Sequence, residues 1–308
     1  MPDDWFDAAT YRWQEWDLND LVEVKRTSGT TVSLVVPARN EAATVGDVVA
    51  RVREALVDTV DLLDEIVVID SDSDDDTYEV AAGAGARVHR ARDIRPDLGS
   101  YPGKGEAMWK AQFVTTGDLI VFMDADLTDW DTHFVPGLLG PLLTRDDVTL
   151  VKGFYERPFD DGTRSEAYEG GRVTELVARP LIARSYPRLA WLVQPLAGEW
   201  AIRREWFEAL TVPTGYAVEI AALIDTANAL GPEAIAQVDL GRRAHRHQSL
   251  RDLGAMATQV ITAVQARTYG GEHPQVVALR QYVPGEGGIA AAEREVVTYE
   301  RPPARGLR

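Results

Sequence analysis

Carboxylates that directly follow apolar runs are the first residues in this sequence with chemistry in them. The chain holds five Asp-x-Asp patterns, which its aspartate-rich composition produces readily by chance. Position separates them: only Asp70/Asp72 and Asp124/Asp126 close a run of apolar, strand-forming residues. A carboxylate pair at a strand tip can hold Mg2+, or Mn2+ as the alternative ion, since such hard ions keep waters and bridge diphosphate oxygens. A cation there would stabilise the charge that builds on a departing diphosphate. Solvated loop acids capping the next helix are the competing reading, and it weighs more on Asp72 than on Asp124 and Asp126.

Two glycine-flanked cations come next. Lys104 lies in Pro102-Gly103-Lys104-Gly105-Glu106 ahead of a helical pattern, and Gly170-Gly171-Arg172-Val173-Thr174 repeats the idea with an arginine and a hydroxyl. Backbone amides at a helix start, together with a cation, favour phosphate. Arginine adds a bidentate contact. The first segment is not a Walker A loop, and an exposed loop lysine or an ordinary helix cap are the plain alternatives. Among five histidines, His245 and His247 fall in His245-Arg246-His247, where His245 could complete the coordination of an ion held by Asp126. Glu219 is a carboxylate in the otherwise apolar segment 215–220, which suits a catalytic or sugar-binding role as well as a helix cap. There is no G-x-S-x-G, zincin or G-x-G-x-x-G pattern, so hydrolase and dehydrogenase readings lose their usual supports.

The elements that must position these groups alternate along the chain. Residues 31–36 read as a buried strand closed by Pro37, and 42–57 show helical spacing through Val45, Val48, Val49, Val52 and Leu56. Strands are expected at 65–70, 86–89, 119–123 and 149–155, with helices at 77–84 and 103–114. This alternation implies an α/β fold with a mostly parallel sheet and flanking helices. Strands buried on both faces explain the continuous apolar runs. Ligands of such sheets bind beyond the carboxyl ends of the strands, and three tips carry polar groups there: 37–41, 70–73 and 124–126.

The spacing divides the chain into an aromatic N-terminal arm (1–30, with Trp5, Phe6, Trp13 and Trp16), a nucleotide-binding half (31–155) and a second half (156–267). The second half opens with a polar, glycine-containing stretch, 156–170, expected as a mobile lid, and continues with helices at 172–185, 217–230 and 250–267. From Gly270 on, the richness in Gly, Pro and charge predicts a loosely ordered tail, 268–308.

Composition bounds the function. With no cysteine among 308 residues, disulfides, thiolate metal sites and cysteine nucleophiles are excluded. A net charge of -17 argues against nucleic acid, whose phosphates must be neutralised by Lys and Arg. It does not exclude a phosphate ligand, because a bound divalent cation reverses the local sign. No apolar run reaches the length of a membrane span and no signal peptide is visible, so a cytoplasmic protein that binds neither membrane nor nucleic acid is expected.

The series Val35-Val36-Pro37-Ala38-Arg39-Asn40-Glu41, Val68-Ile69-Asp70-Ser71-Asp72-Ser73 and Asp124-Ala125-Asp126 resembles the GT-A (Rossmann-like) glycosyltransferases. More narrowly, Gly103-Lys104-Gly105, Gly170-Gly171-Arg172-Val173-Thr174-Glu175, Gln194-Pro195-Leu196-Ala197-Gly198-Glu199 and His245-Arg246 look like the glucosyl-3-phosphoglycerate synthases of glycosyltransferase family 81. The likeness runs over roughly residues 5–267. It implies a dimeric enzyme that transfers glucose, with retention and Mg2+, from UDP-glucose to the 2-hydroxyl of 3-phosphoglycerate, with a C-terminal helical part binding the acceptor.

By matching position, the resemblance assigns the nucleotide to Pro37, Ala38, Arg39, Glu41, Ser71 and Lys104. It sets Asp124 and Asp126 with His245 at the metal and diphosphate, and Gly171, Arg172 and Thr174 at the acceptor phosphate or carboxylate. Glu219 and Leu196 would face the transferred sugar, with Glu219 and Asp124 as catalytic candidates. His247 stands where some members carry asparagine near the acceptor, and a histidine titrating near pH 6.5 could strengthen phosphate binding there. A mannosyl-3-phosphoglycerate synthase using GDP-mannose, or a dual-donor enzyme, has a similar layout. A non-catalytic nucleotide-sugar-binding protein is the alternative from another class. A sugar-phosphate nucleotidylyltransferase would need an Arg/Lys activation loop where Arg39-Asn40-Glu41 stands, and a polyprenyl-phosphate enzyme would need membrane-seeking helices.

Overall fold

Buried β-branched runs decide the centre of the molecule. The computed structural model describes residues 4–156, 159–160, 165–166, 171–243, 249–285 and 288–307. Eight strands form the main sheet: β1 (Thr10–Arg12), β2 (Val32–Ala38), β3 (Glu65–Asp70), β4 (Arg87–Arg90), β5 (Leu119–Phe122), β6 (Leu150–Glu156), β7 (Trp200–Arg203) and β8 (Ile235–Arg242). Their order is β1-β8-β6-β7-β5-β2-β3-β4. All neighbours pair in parallel except β7, which lies antiparallel between β5 and β6. The expected mostly parallel sheet is therefore present. The short antiparallel strand β7 was not read from the sequence, because Trp200–Arg203 runs straight into the helix Arg204–Phe207 with no turn residue to mark its end.

One face of the sheet packs against the helices Val45–Arg53 and Phe134–Thr144. Val45, Val48, Val49 and Val52 are fully buried there, as their helical spacing requires. The other face packs against Lys104–Ala111, Val218–Leu230 and Leu250–Tyr269. From β2 the chain passes to β3 and β4 on one side, while β5 lies on the other. This reversal opens a crevice at the tips of β2 and β5, where ligands of open α/β sheets bind. Pro37 is tolerated in this central strand because β2 has outrun its β5 pairing, which ends at Val35↔Phe122.

The aromatic arm packs onto its own chain. Trp13 stacks on His133 with ring centroids 4.0 Å apart. Trp16 lies over Gly140, where any Cβ would collide with the indole. Both are half-buried against the core, so their apolar surface is already covered within one chain.

The predicted loose tail is corrected. Val276–Gly285 and Gly288–Val297 pair in register as an antiparallel hairpin. Glu300–Arg301 then pairs with Val212–Pro213. Most of the lid expected at 156–170 falls outside the described residues, which within it are 156, 159–160 and 165–166.

Candidate active site

One cavity of about 860 Å3 at the tips of β2, β3 and β5 is lined by every residue that the resemblance assigns except His245 and His247, while Asp70 and Asp72 of the other carboxylate pair do not line it. Those two histidines lie outside the described residues. A volume of this order falls within the range of roughly 300–1,000 Å3 usual for small-molecule sites.

The tips of β2 and β3 hold each other in place. Asn40 adopts the left-handed region (φ 58°). Its amide donates to Ser73 Oγ at 2.9 Å, and its Oδ1 accepts from the Asp74 amide at 2.8 Å. The Glu41 amide donates to Thr77 Oγ1 at 2.8 Å, and the Ser71 amide to the Ala38 carbonyl at 2.8 Å. Pro37, Ala38, Arg39, Glu41 and Ser71 thus form one fixed wall of the cavity. Asp72 stands apart: it pairs with the exposed Arg92 at 3.4 Å, and the surface reading of that acid is the one the structure favours.

The Lys104 turn differs from its expectation in one respect. The helix Lys104–Ala111 does not offer its first amides to a ligand, because Gly105 N donates to the Gly215 carbonyl at 3.2 Å and Glu106 N to the Thr214 carbonyl at 2.9 Å. Gly103 and Gly105 are required for this close approach, since a Cβ on either would strike the backbone of 213–215. What this turn brings to the cavity is the Lys104 ammonium, beside Pro102 and Gly103. Lys104 Nζ lies 2.6 Å from Asp124 Oδ1 and 2.9 Å from Glu219 Oε1. Burial works against this charge, but Asp124 and Glu219 prevail and hold the ammonium well above the ordinary lysine range.

Beneath it sits a cluster that sequence reasoning missed. Arg243, with a side chain only 2 % exposed, donates to Asp124 Oδ2 at 2.7 Å and to Glu199 Oε2 at 3.1 Å. It also contacts Asp126 Oδ1 at 3.4 Å and the Tyr155 hydroxyl. Glu199 is fully buried, and burial raises its carboxyl above the usual range despite Arg243. Gly198 beside it has no room for a Cβ, which would overlap the Asp124 carboxylate. The Gly198-Glu199 segment carries part of the family resemblance, but Arg243, set in the basic run Arg242-Arg243-Ala244-His245-Arg246, reads as surface charge, and nothing in the sequence aims it inward.

The two acids of the β5 tip differ in charge balance. Burial opposes ionisation of Asp124, yet Lys104 and Arg243 outweigh it and hold the carboxyl well below the usual range. Asp126 is pushed the other way, by burial first and by Asp124 second. Asp124 meets a cation on each oxygen, Lys104 at 2.6 Å and Arg243 at 2.7 Å, whereas Asp126 meets Arg243 at the longer 3.4 Å and is the more available acid for a cation. A hard divalent ion fits such a carboxylate. Among the described residues no three carboxylate or imidazole groups form a complete cage, and the third expected ligand, His245, lies beyond them.

Across the cavity, Gly171, Arg172 and Thr174 start the helical segment that runs into Arg179–Ser185. Its first turns are π-helical from Thr174 to Ala178, a form often found at functional sites. Arg172 is exposed and Thr174 buried, so a cation and a hydroxyl meet the cavity from one turn. Leu196 and Glu219 lie between this wall and Lys104. The tail hairpin contributes Arg294 to Val297 to the rim, and Gln259 ties it in by accepting from Tyr216 N at 2.9 Å and donating to the Val297 carbonyl at 2.8 Å.

The model for glycosyl transferase family 2 matches residues 33–211. A glucosyl-3-phosphoglycerate synthase of Mycolicibacterium smegmatis is 44% identical over 304 residues, covering 99% of this chain and 98% of that protein. The crystal structure of glucosyl-3-phosphoglycerate synthase from Mycobacterium tuberculosis with Mg2+ and uridine-diphosphate superposes with a TM-score of 0.86 at 42% identity, covering 97% of this chain and 99% of that one. The same enzyme with Mn2+, uridine-diphosphate-glucose and phosphoglyceric acid gives a TM-score of 0.83 at 42% identity, covering 95% and 96%. Sharing sequence over almost its whole length and the fold that carries it, this chain is a glycosyltransferase that matches the family 2 model and belongs to the glucosyl-3-phosphoglycerate synthases.

Proposed function

We propose that this glycosyltransferase moves glucose from UDP-glucose to the 2-hydroxyl of 3-phosphoglycerate, with retention at the anomeric carbon and with Mg2+ or Mn2+. The observation that carries the reading is the continuity of one cavity. It runs from the β2 and β3 tips, past Lys104, Asp124, Asp126 and Glu219, to the Gly171–Arg172–Thr174 turn. A nucleotide, a diphosphate, a sugar and an anionic acceptor each meet matching chemistry along that path. Both relatives are named glucosyl-3-phosphoglycerate synthase, and the Mycobacterium tuberculosis enzyme is solved with Mn2+, uridine-diphosphate-glucose and phosphoglyceric acid.

The uridine would lie along Pro37, Ala38, Arg39, Glu41 and Ser71. Lys104 presents its ammonium where the diphosphate must pass, and Glu219 accepts from sugar hydroxyls while Leu196 covers the ring. Asp126, with His245, would hold the ion, and Asp124 orients Lys104 against it. When bound, the ion supplies stabilisation of charge on the leaving diphosphate. Arg172 and Thr174 take the acceptor phosphate or carboxylate, the arginine through its planar fork, and the family resemblance adds His247 to the acceptor site.

Front-face departure and attack is the retaining route we favour. Glu219 is the carboxylate best placed to act as a nucleophile, and it is already committed to Lys104 at 2.9 Å. NMR of the product tests retention: an α-linked glucoside is expected, and a β-linked one overturns it. We also propose a cytoplasmic homodimer. Its support is the family resemblance and the outer face of the tail hairpin, which exposes Val276, Tyr282 and Ile289. Of the N-terminal aromatics, Trp13 and Trp16 pack on the core of their own chain, while Phe6 is exposed.

A further inference from the structure

The last residues of the chain close around the turn that carries Lys104. Arg301, 3 % exposed, forms a two-pronged ion pair with the buried Glu106, Nε to Oε2 at 2.7 Å and Nη2 to Oε1 at 2.6 Å. The same guanidinium donates to the carbonyls of Leu98 at 2.7 Å and Gly99 at 3.1 Å. It lies 4.7 Å from the ring centre of Tyr101 and 4.6 Å from that of Trp109. One side chain therefore pins both ends of the loop 98–106. Such a fork differs from an ordinary ion pair, because a planar guanidinium fixes orientation as well as distance.

The neighbouring strand adds a second constraint. The Tyr299 carbonyl accepts from the Thr214 amide at 3.0 Å, and the Thr214 carbonyl accepts from the Glu106 amide at 2.9 Å. Tyr299 also stacks on Tyr101 with centroids 4.3 Å apart, and the Trp109 indole donates to the Pro302 carbonyl at 2.9 Å. Between these anchors the loop has only Pro102 and Gly103 before Lys104. Gly103, with φ of 133°, has a backbone that nothing else in the turn would hold.

We propose that Arg301 is a positioning residue for the donor site: by clamping Glu106 and the 98–101 backbone it sets the height at which Lys104 enters the cavity. This rests on the reading of Lys104 as the cation that meets the donor diphosphate. Arg301 touches no substrate, and it lies some two hundred residues from Lys104 in sequence, so its effect is transmitted through the loop alone.

The test is calorimetric titration of the full chain with UDP plus Mg2+ and, separately, with 3-phosphoglycerate, for wild type, Arg301→Ala, Arg301→Lys and Glu106→Gln. Wild type must bind UDP, and failure there would sink the donor-site reading instead of the clamp. In folded Arg301→Ala, UDP affinity is expected to fall about tenfold or more, since a displacement on the order of 1 Å at a site is worth factors of this size. Affinity for 3-phosphoglycerate should stay within about twofold, because the Arg172 turn is a separate element. Arg301→Lys should recover part of the loss, and KM for UDP-glucose should rise more than kcat falls. If Arg301→Ala does not fold, Glu106→Gln, equal in size, should show the same selective loss. UDP affinity unchanged in a folded variant, or both ligands weakened alike, overturns the proposal.

Discussion

Arg243 sets its Nη2 2.7 Å from Oδ2 of Asp124 from beneath the cavity floor, with the arginine side chain almost wholly removed from water. Asp124 is thereby held between two cations, Arg243 below and Lys104 above. The arrangement fixes the acid at the β5 tip before any ligand arrives and leaves Asp126, 3.4 Å from Arg243, as the less tightly held neighbour. Positioning of this kind costs no reorganisation when the substrate binds.

Arg243→Ala would leave Glu199 buried with no cation. Removing one partner of a buried pair costs about 3–5 kcal/mol, and urea unfolding should show a loss of this order. A second change, Glu199→Gln, in the Arg243→Ala background should restore part of it, because the orphaned charge is gone.

Asp126→Asn should behave in the opposite way. The carboxyl is raised by burial and by Asp124, so neutralising it relieves the fold, and thermal unfolding without ligand should not drop. Turnover should fall by about a hundredfold or more, comparable to loss of one preorganised charge-stabilising contact. Mg2+ should no longer strengthen UDP binding to the variant, and chelation of metal from wild type should reproduce the loss.

Glu219→Gln separates sugar from nucleotide. The variant should bind UDP at least as well as wild type, because Lys104 loses one of its two acids. UDP-glucose turnover should fall about tenfold to a hundredfold, as for loss of a hydrogen bond to a charged group. If both substrates still bound but turnover vanished, and a glycosyl-enzyme could be trapped, the front-face route would be replaced by a covalent one.

Lys152 gives the pH signature. It is fully enclosed next to Trp200, donates to the Ala197 carbonyl, and burial drives its amine down to about 7. The unfolded chain would keep that proton to about pH 10.4. Between those values the unfolded state binds more protons, so stability from this group rises with pH, and below about 7 the cost is present in full. Lys152→Met should therefore raise the melting temperature at pH 6, and the gain should shrink steadily toward pH 10.

The strand tips were legible because physics concentrates their signal: a run such as Val67-Val68-Ile69 has to be buried on both faces, and the polar residues that follow it fall at the crevice, where Ser71 lines the cavity and Asp70 turns in to accept from the Ser73 amide. The cavity joins 37–41, Ser71 and Asp124/Asp126 on that account. Arg243 was not legible, since a charged residue is buried only by partners distant in sequence, here Asp124 and Glu199. The tail was misread because Gly, Pro and charge dominate 270–308, although Val277, Leu279 and Val283 fall on alternate positions that turn one face of the hairpin inward. The helix start at Lys104 looked like an anion site by its glycines, whereas those glycines serve contact with the 213–215 backbone.

The most direct test is nucleotide release from UDP-glucose, measured with and without 3-phosphoglycerate and with and without Mg2+, beside GDP-glucose and GDP-mannose. The account predicts release of UDP only when 3-phosphoglycerate and metal are both present, with UDP-glucose the best donor. No release under any combination, or equal release without 3-phosphoglycerate, would contradict it, and preference for GDP-mannose would overturn the assignment of the sugar.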